Sequence, residues 1–398
     1  MPRVIFVNRF YWPEEPATSQ LLTDLAQSVA DAGFTVCVIT SCKAQSPRLE
    51  THRGVDILRV GPVRHDGRSL VFRVFDFVSF ISAALWRLLR IVRGGDTVVI
   101  MTDPPMLGAL AAPLLEWRDV RLIHWIQDIY PDVAISVTGQ RWMNFLKPWR
   151  DYAWRQAEGC VTLGKDMASV LKGAAVADER ITIIPNWAPE GLIEEPTNES
   201  DAIKTAWGVA EKFVILYSGN LGHVHDLMPV LDIAENLRNE PDIVFVFVGS
   251  GAQQSALRES AQSRRLNNIV FQPHQPRSRL GAALSAGDLH CVTLKEGCES
   301  CVLPSKLHGI IAVARPILFI GPKTSELFSM ITEQKLGVSF TRNQAAVAAA
   351  EIRALKSDSQ RRIAMSTAAR QLHQETGFSA SRLAWLNLLG RPSLKPSH

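Results

Sequence analysis

Short, nearly uninterrupted apolar runs recur along the whole chain, and helical patterns fall between them. VIFVN (4–8), TVCVITS (35–41), VDILRV (55–60), TVVIMT (97–102), RLIHWIQD (121–128), GCVTLG (159–164) and ITIIPN (181–186) form one series. FVILYSGN (213–220), IVFVFVG (243–249), NIVFQPH (268–274), DLHCVTL (288–294), PILFIG (316–321) and LGVSF (336–340) form a second. Helices are expected in the first series at about 17–33, 70–93, 106–117, 140–157 and 165–174. Strands that are apolar on both faces and separated by helices call for a parallel sheet covered on both sides. The 398 residues leave room for two such domains. Between the series lies PNWAPEGLIEEPTNESD (185–201), rich in proline, acids and small polar residues, which reads as a linker. The expected fold class is therefore α/β, with two doubly wound Rossmann-like domains facing across a cleft. Their boundaries fall at 1–190 and 200–375, followed by a helix and tail at 376–398. Leu383, Trp385, Leu386, Leu388 and Leu389 make that last helix apolar, and packing on the first domain would cover it.

The charge balance is mild, 43 basic against 39 acidic residues, with no long basic run, so no nucleic-acid partner is expected. Six cysteines (37, 42, 160, 291, 298, 301) are too few for a disulfide scaffold and read as reduced thiols in a cytoplasmic protein. Cys298 and Cys301 form a C-x-x-C without a second pair, so no metal site is expected there. The N-terminal apolar stretch is five residues long and reads as a strand, not a signal peptide. No transmembrane helix is expected. The segment 70–93 is apolar round much of its circumference yet carries Arg73, Asp76, Arg87, Arg90 and Arg93. It suits a core helix with solvated arginines, or a helix lying at a membrane surface.

In open parallel sheets ligands bind beyond the carboxyl ends of the strands, so functional residues belong in the loops that follow strands. The first strand of the second series ends in Tyr217-Ser218-Gly219-Asn220-Leu221-Gly222, and the second in Gly249-Ser250-Gly251. Such glycines let main-chain amides approach an anion, though they also serve plain turns. Neither series contains G-x-G-x-x-G or a P-loop, which argues against a nicotinamide dehydrogenase and a P-loop NTPase. The exit Phe271-Gln272-Pro273-His274-Gln275-Pro276 is suited to bordering a planar base, or is a simple turn. The most informative stretch runs from Lys295 to Gly309. Pro304 fits the first turn of a helix, which places Ser305, Lys306 and Leu307 at its N-terminus. A lysine there opposes ordinary helix electrostatics, and an external diphosphate would resolve the conflict. Glu296 and Glu299, in the preceding loop, are suited to accepting sugar hydroxyls. In the first series Asp103 follows one strand, and Asp128 with Tyr130 follows the next. Asp128 is suited to act as a base, to bind hydroxyls or to cap a helix. Glu14 and Glu15, in the loop through Thr18 that follows the first strand, are suited to accepting hydroxyls.

Taken together, FYWPEEPATSQLLTDLAQSVADAGFTVCVIT, WIQDIYPD, ITIIPNWAP, ILYSGNLG, FVFVGSGAQ and CESCVLPSKLHGIIAVARPILFIG resemble, almost end to end, the GT-B glycosyltransferases of retaining family 4. The likeness is to the branch that assembles polysaccharides and O-antigens. The resemblance implies a nucleotide-sugar donor, UDP- rather than GDP-linked, held by the second domain. It implies a lipid-linked glycan acceptor held by the first, at the inner face of the cytoplasmic membrane. Gly219, Asn220, Ser305 and Lys306 would face the donor diphosphate, Glu299 the sugar and His274 the base, with Gly249, Glu296, Pro304 and Leu307 also on the donor side. Glu14, Glu15, Thr18, Asp103, Asp128 and Tyr130 would lie on the acceptor side, with Asp128, Glu299 and Lys306 as the catalytic set. No cofactor and no metal are implied, because a cation and helix dipoles neutralise the leaving diphosphate. The acceptor attacks from the same face, with no protein nucleophile. The chain departs from the family pattern at Gly309, where the second glutamate of a Glu-x7-Glu pair is expected. It departs again at Asn220 for arginine, Gln127 for histidine and Ala314 for glycine. Two other readings stay open at this point: an inactive partner subunit, and a sugar-nucleotide epimerase, which shares the two-domain plan.

Overall fold

The computed structural model describes residues 3–14, 16–44, 46–63, 70–189, 191–193 and 197–391. Two compact units emerge. The first comprises Met1–Asn186 together with Ser300–Val302 and Ser379–His398; the second comprises Trp187–Glu299 and Leu303–Phe378.

The first unit is built on β1 (Arg3–Val7), β2 (Thr35–Cys42), β3 (Leu49–His52), β4 (Val55–Val63), β5 (Thr97–Met101), β6 (Arg121–Trp125), β7 (Gly159–Thr162) and β8 (Ile181–Ile183). They form one sheet in the order β3-β4-β2-β1-β5-β6-β7-β8. All neighbours are parallel except β3 and β4. Strand β5, TVVIM, is buried along its whole length, as a strand covered on both faces must be. Strand β3 is an addition to the sequence reading. LETH has a single large apolar residue and alternates exposed with half-buried positions, which is how a short edge strand looks. Arg53 and Gly54, both at positive φ, close the two-residue turn into β4.

The stretch 140–157, expected as one helix, is a 3-10 turn over Arg141–Leu146 followed by a helix over Lys147–Gln156, with Pro148 in its first turn. A further short helix, Asp132–Thr138, precedes it. The apolar helix Phe378–Leu389 belongs almost wholly to this unit. Trp385 is fully buried, its ring edge-on to Trp125 with centroids 4.9 Å apart. Arg121 donates to the carbonyls of Leu388 (3.2 Å) and Leu389 (3.0 Å), which caps the helix end, and Ser381 Oγ donates to the Pro185 carbonyl at 2.9 Å.

The second unit holds β9 (Phe213–Ser218), β10 (Ile243–Val248), β11 (Ile269–Gln272), β12 (Leu289–Thr293), β13 (Ile317–Ile320) and β14 (Gly337–Phe340). They are all parallel, in the order β11-β10-β9-β12-β13-β14. Alternate residues of β9 and β10 feed two apolar clusters, one on each face of the sheet. The segment expected to link the units is not loop throughout, since the helix Thr197–Ala206 starts inside it.

Candidate functional site

Strands β9 and β12 pair with each other, but the chain runs on from β9 to β10 and from β12 to β13, in opposite directions across the sheet. Connections diverge at such a point and leave a crevice beyond the carboxyl ends of the two strands. The loop after β9 and the loop after β12 border it. They are tied together where Lys295 N donates to the Val224 carbonyl at 2.9 Å.

Lys306 opens the helix Lys306–Ala312, with Ser305 as its N-cap. Pro304 therefore stands before the cap and not in the first turn, and the Ser305 side chain accepts no cap hydrogen bond. At seven residues this helix is too short for its dipole to dominate, and the local positive charge resides in the ammonium. The Lys306 stem is half-buried and reaches back across β9. Nζ lies 3.5 Å from the centroid of the Tyr217 ring. It is shut off from solvent and has no hydrogen-bond partner. Burial holds its pKa down to about 7, with Cys291 acting in the opposite sense.

His225 completes the cluster. Its Nδ1 is 2.8 Å from the Thr293 carbonyl, so Nδ1 carries the proton and donates it. Burial first, and Lys306 second, hold the ring down to about 3, which keeps it neutral.

The glycines are needed for close approach. Gly219 (φ +134) donates to the Val248 carbonyl at 2.9 Å, and Gly249 (φ +124) donates to that of Gln272 at 3.1 Å. A Cβ on Gly249 would fall 2.4 Å from the Gly219 carbonyl oxygen. One on Gly219 would stand 3.6 Å from Lys306 Cε. Gln253 Nε2 then donates to the carbonyls of Gly222 (2.6 Å) and His225 (2.8 Å), locking the loop after β9 to the loop after β10.

The sequence-derived donor residues divide by environment. Gly219 lies against both Gly249 and Lys306 beyond the carboxyl end of β9. Glu299 holds a buried Oε2 without a hydrogen-bond partner. Asn220, His274, Glu296 and Ser305 are exposed. Leu307 is core: its side chain is buried and its amide donates to the Pro304 carbonyl at 3.1 Å. Gly309 has Leu284 Cδ1 at 3.3 Å from where a Cβ would stand. Sequence reading passed over Tyr217 and His225 as functional residues. Their positions, at the end of β9 and in the loop behind it, were the available signal.

In the first unit the corresponding divergence lies between β1 and β5. Arg9 follows β1 and Asp103 follows β5. Their side chains pair at 3.0 Å, and the Arg9 amide donates to the Asp103 carbonyl at 2.9 Å. Asp128 lies beyond β6, where it forms an isolated antiparallel bridge with Val302. Its amide donates to Thr102 Oγ1 at 3.2 Å, and the Ile129 amide to the Cys301 carbonyl at 2.8 Å. Burial, and then Asp103, push the Asp128 carboxyl up to about 6. Tyr130 is raised by burial and by the same two carboxylates. Gln127 and Asn186 exchange amide bonds of 3.1 and 2.8 Å beside it. Glu14 is half-buried, its carbonyl accepting Ser19 Oγ at 2.8 Å. Thr18 lies in the first turn of the helix Ala17–Asp31. Glu15 lies outside the described residues. Among the described residues no three His, Cys, Asp or Glu side chains gather closely enough to hold a metal ion. All six cysteines are free and buried.

The chain is similar in fold to solved structures. It is similar to sucrose-phosphate synthase from Thermosynechococcus elongatus (TM-score 0.78, 15% identity, 98% of each chain). It is similar also to Anabaena HepE in complex with UDP and glucose (TM-score 0.74, 14% identity, 98% of this chain and 100% of the other). These likenesses define the fold as GT-B. The family models agree: residues 18–187 match the glycosyl transferase 4-like domain, and residues 199–372 match glycosyl transferases group 1. The chain belongs to the GT-B glycosyltransferases of the family-4 type. Among curated relatives it is 28% identical over 264 residues to WcaI of Escherichia coli (strain K12), a putative colanic acid biosynthesis glycosyl transferase. It is 26% identical over 259 residues to WbjE of Pseudomonas aeruginosa, a probable glycosyltransferase. The matched segments cover 64% and 63% of this chain and 63% and 64% of those relatives, under two thirds of either.

Proposed function

We propose that this protein transfers a sugar from a nucleotide-sugar donor, UDP-linked, to a lipid-linked glycan in bacterial-type polysaccharide or O-antigen assembly. Transfer retains the anomeric configuration and needs no metal. The observation that carries the reading is the buried ammonium of Lys306, unpaired, beside the glycine-built crevice at β9 and β12. An anionic diphosphate is the ligand class that such a group lacks. The structures of HepE with UDP and with UDP-glucose support UDP as the carrier, and the name of WcaI supports polysaccharide assembly.

In this reaction the bond from the anomeric carbon to the β-phosphate oxygen breaks while the acceptor oxygen bonds to the same carbon. The hydroxyl proton passes to the departing diphosphate, and Lys306 stabilises the charge developing there. Gly219 and Gly249 allow the main chain to approach the phosphates. Glu299 accepts hydroxyls of the donor sugar, and Asp128 accepts one from the acceptor.

A lipid-linked acceptor would bring the protein to a membrane surface. No helix among the described residues is long and apolar enough to cross a bilayer. The helix Leu70–Ile91 buries Phe80, Ala84 and Leu88 and exposes Phe72, Phe75, Val78 and Trp86, an apolar outer face suited to a lipid interface. Arg90 lies over the Trp86 ring at 4.0 Å.

Thermal shift with UDP-, GDP-, TDP- and CMP-sugars tests the reading. A ligand bound only by the native state raises Tm, and UDP-sugars are expected to do so. A panel in which no sugar nucleotide moves Tm rejects it.

A further inference from the structure

Lys306 is a buried base that no acid pairs among the described residues. The titratable groups facing it are Tyr217 on β9, Cys291 on β12 and His225 in the loop after β9. Tyr217 offers the face of its ring. Cys291 is a buried thiol pushed up to about 12 by burial, and so is uncharged. His225 is neutral, its proton committed to Thr293. None of the three is a carboxylate, and Nζ makes no hydrogen bond. An ammonium in this setting has only an aromatic face in place of water, which favours release of its proton. A sugar-nucleotide diphosphate reverses that balance, since an opposite charge within about 4–6 Å favours the charged form. The half-buried stem can carry Nζ off the Tyr217 ring to meet it.

We propose that Lys306 takes up a proton from solvent when the sugar nucleotide binds, so that donor capture itself is proton-linked. The inference rests on the donor reading above. In the binding step a buffer acid gives one proton to Nζ, and no bond of the donor is made or broken. Apparent donor affinity then falls about tenfold per pH unit above about 7, where the free protein holds less and less of the ammonium form.

Calorimetric titration of the full chain with UDP-glucose, GDP-mannose and TDP-glucose, in buffers of different ionisation enthalpy, counts the protons exchanged. The diphosphate of a sugar nucleotide has no titrating proton near neutrality, so the exchange belongs to the protein. Close to one proton is expected to be taken up at about pH 8.5, and close to none at about pH 5.5. Lys306→Arg, charged throughout this range, is expected to bind without uptake. Donor binding by the wild type with no proton exchange at either pH overturns the proposal and leaves the donor reading standing. Uptake unchanged in Lys306→Arg overturns it as well, because the proton then belongs to another group. Failure of all three nucleotides to bind the wild type rejects the donor reading and the proposal with it. The wild-type series decides alone if the variant does not fold.

Discussion

The ammonium of Lys306, at the start of the helix Lys306–Ala312, meets the ring of Tyr217 on β9, with Nζ 3.5 Å from the ring centroid and no hydrogen-bond partner. A group buried without a hydrogen bond costs about 1–3 kcal/mol. Lys306→Met is therefore expected to raise Tm while lowering kcat by about two to three orders of magnitude, the scale of losing one donor to a developing oxyanion. Thermal unfolding and a transfer assay on the same preparation check both signs. A variant that is stabler and equally active removes Lys306 from the chemistry.

The same lysine sets a pH dependence of stability. In the unfolded chain it holds its proton up to about 10.5, and in the folded one only up to about 7. Between those values the unfolded state binds more protons, so stability rises with pH. Other groups titrate in this window, so the measurement is the difference between wild type and Lys306→Met in urea midpoint. That difference is expected to shrink steadily from about pH 7 to about pH 10. A saturating donor is expected to flatten the wild-type curve.

Much of this was legible from the chain alone, and the exceptions have physical reasons. The strands of both series stand out because a parallel strand covered on both faces must be apolar throughout, as TVVIM and IVFVFV are. Strand β3 escapes because LETH, an edge strand, buries little. Lys306 was conspicuous for a lysine at a helix start. Its partners were not, because Tyr217 and His225 reach it only through the pairing of β9 with β12, some 70 residues apart in sequence, and strand order is not a local property. The helix end itself adds little to anion binding, since the helix is only seven residues long.

Asp128 gives a second titration. Burial and Asp103 push its carboxyl up to about 6, so the carboxylate form accumulates as pH rises through that value. If Asp128 receives the acceptor hydroxyl as an anion, kcat/KM for the acceptor, measured at saturating donor so that Lys306 stays charged, rises across the same interval. Asp128→Asn is expected to lower the plateau and erase this acid limb. An unchanged limb in the variant assigns it to another group.

The outer face of Leu70–Ile91 makes a separate claim. Phe75, Val78 and Trp86 are more than half exposed on it. Replacing all three with serine removes apolar surface from solvent, leaves the buried face intact and is expected to be neutral for folding. Flotation with vesicles of anionic lipid is expected to recover the wild type and not the triple variant, and added salt is expected to weaken the wild-type signal. Equal recovery of the two proteins moves the membrane contact elsewhere.

Gly249 tests the architecture of the crevice independently of charge. Its φ of +124 is open to glycine, and a Cβ there would lie 2.4 Å from the Gly219 carbonyl oxygen, which is main chain and cannot swing aside. Gly139 has φ +72 but nothing within 4 Å of its added Cβ. Gly139→Ala is expected to cost only the left-handed backbone term, about 1 kcal/mol. Gly249→Ala adds a steric conflict and is expected to cost about 3 kcal/mol or more, or to push Gly219 away from Lys306. Urea unfolding of the pair separates the two contributions, and nucleotide-sugar affinity of Gly249→Ala reports whether the displaced strand end is the one that receives the donor. Equal stabilities for the two variants would mean that the β9 and β10 loops are free to part.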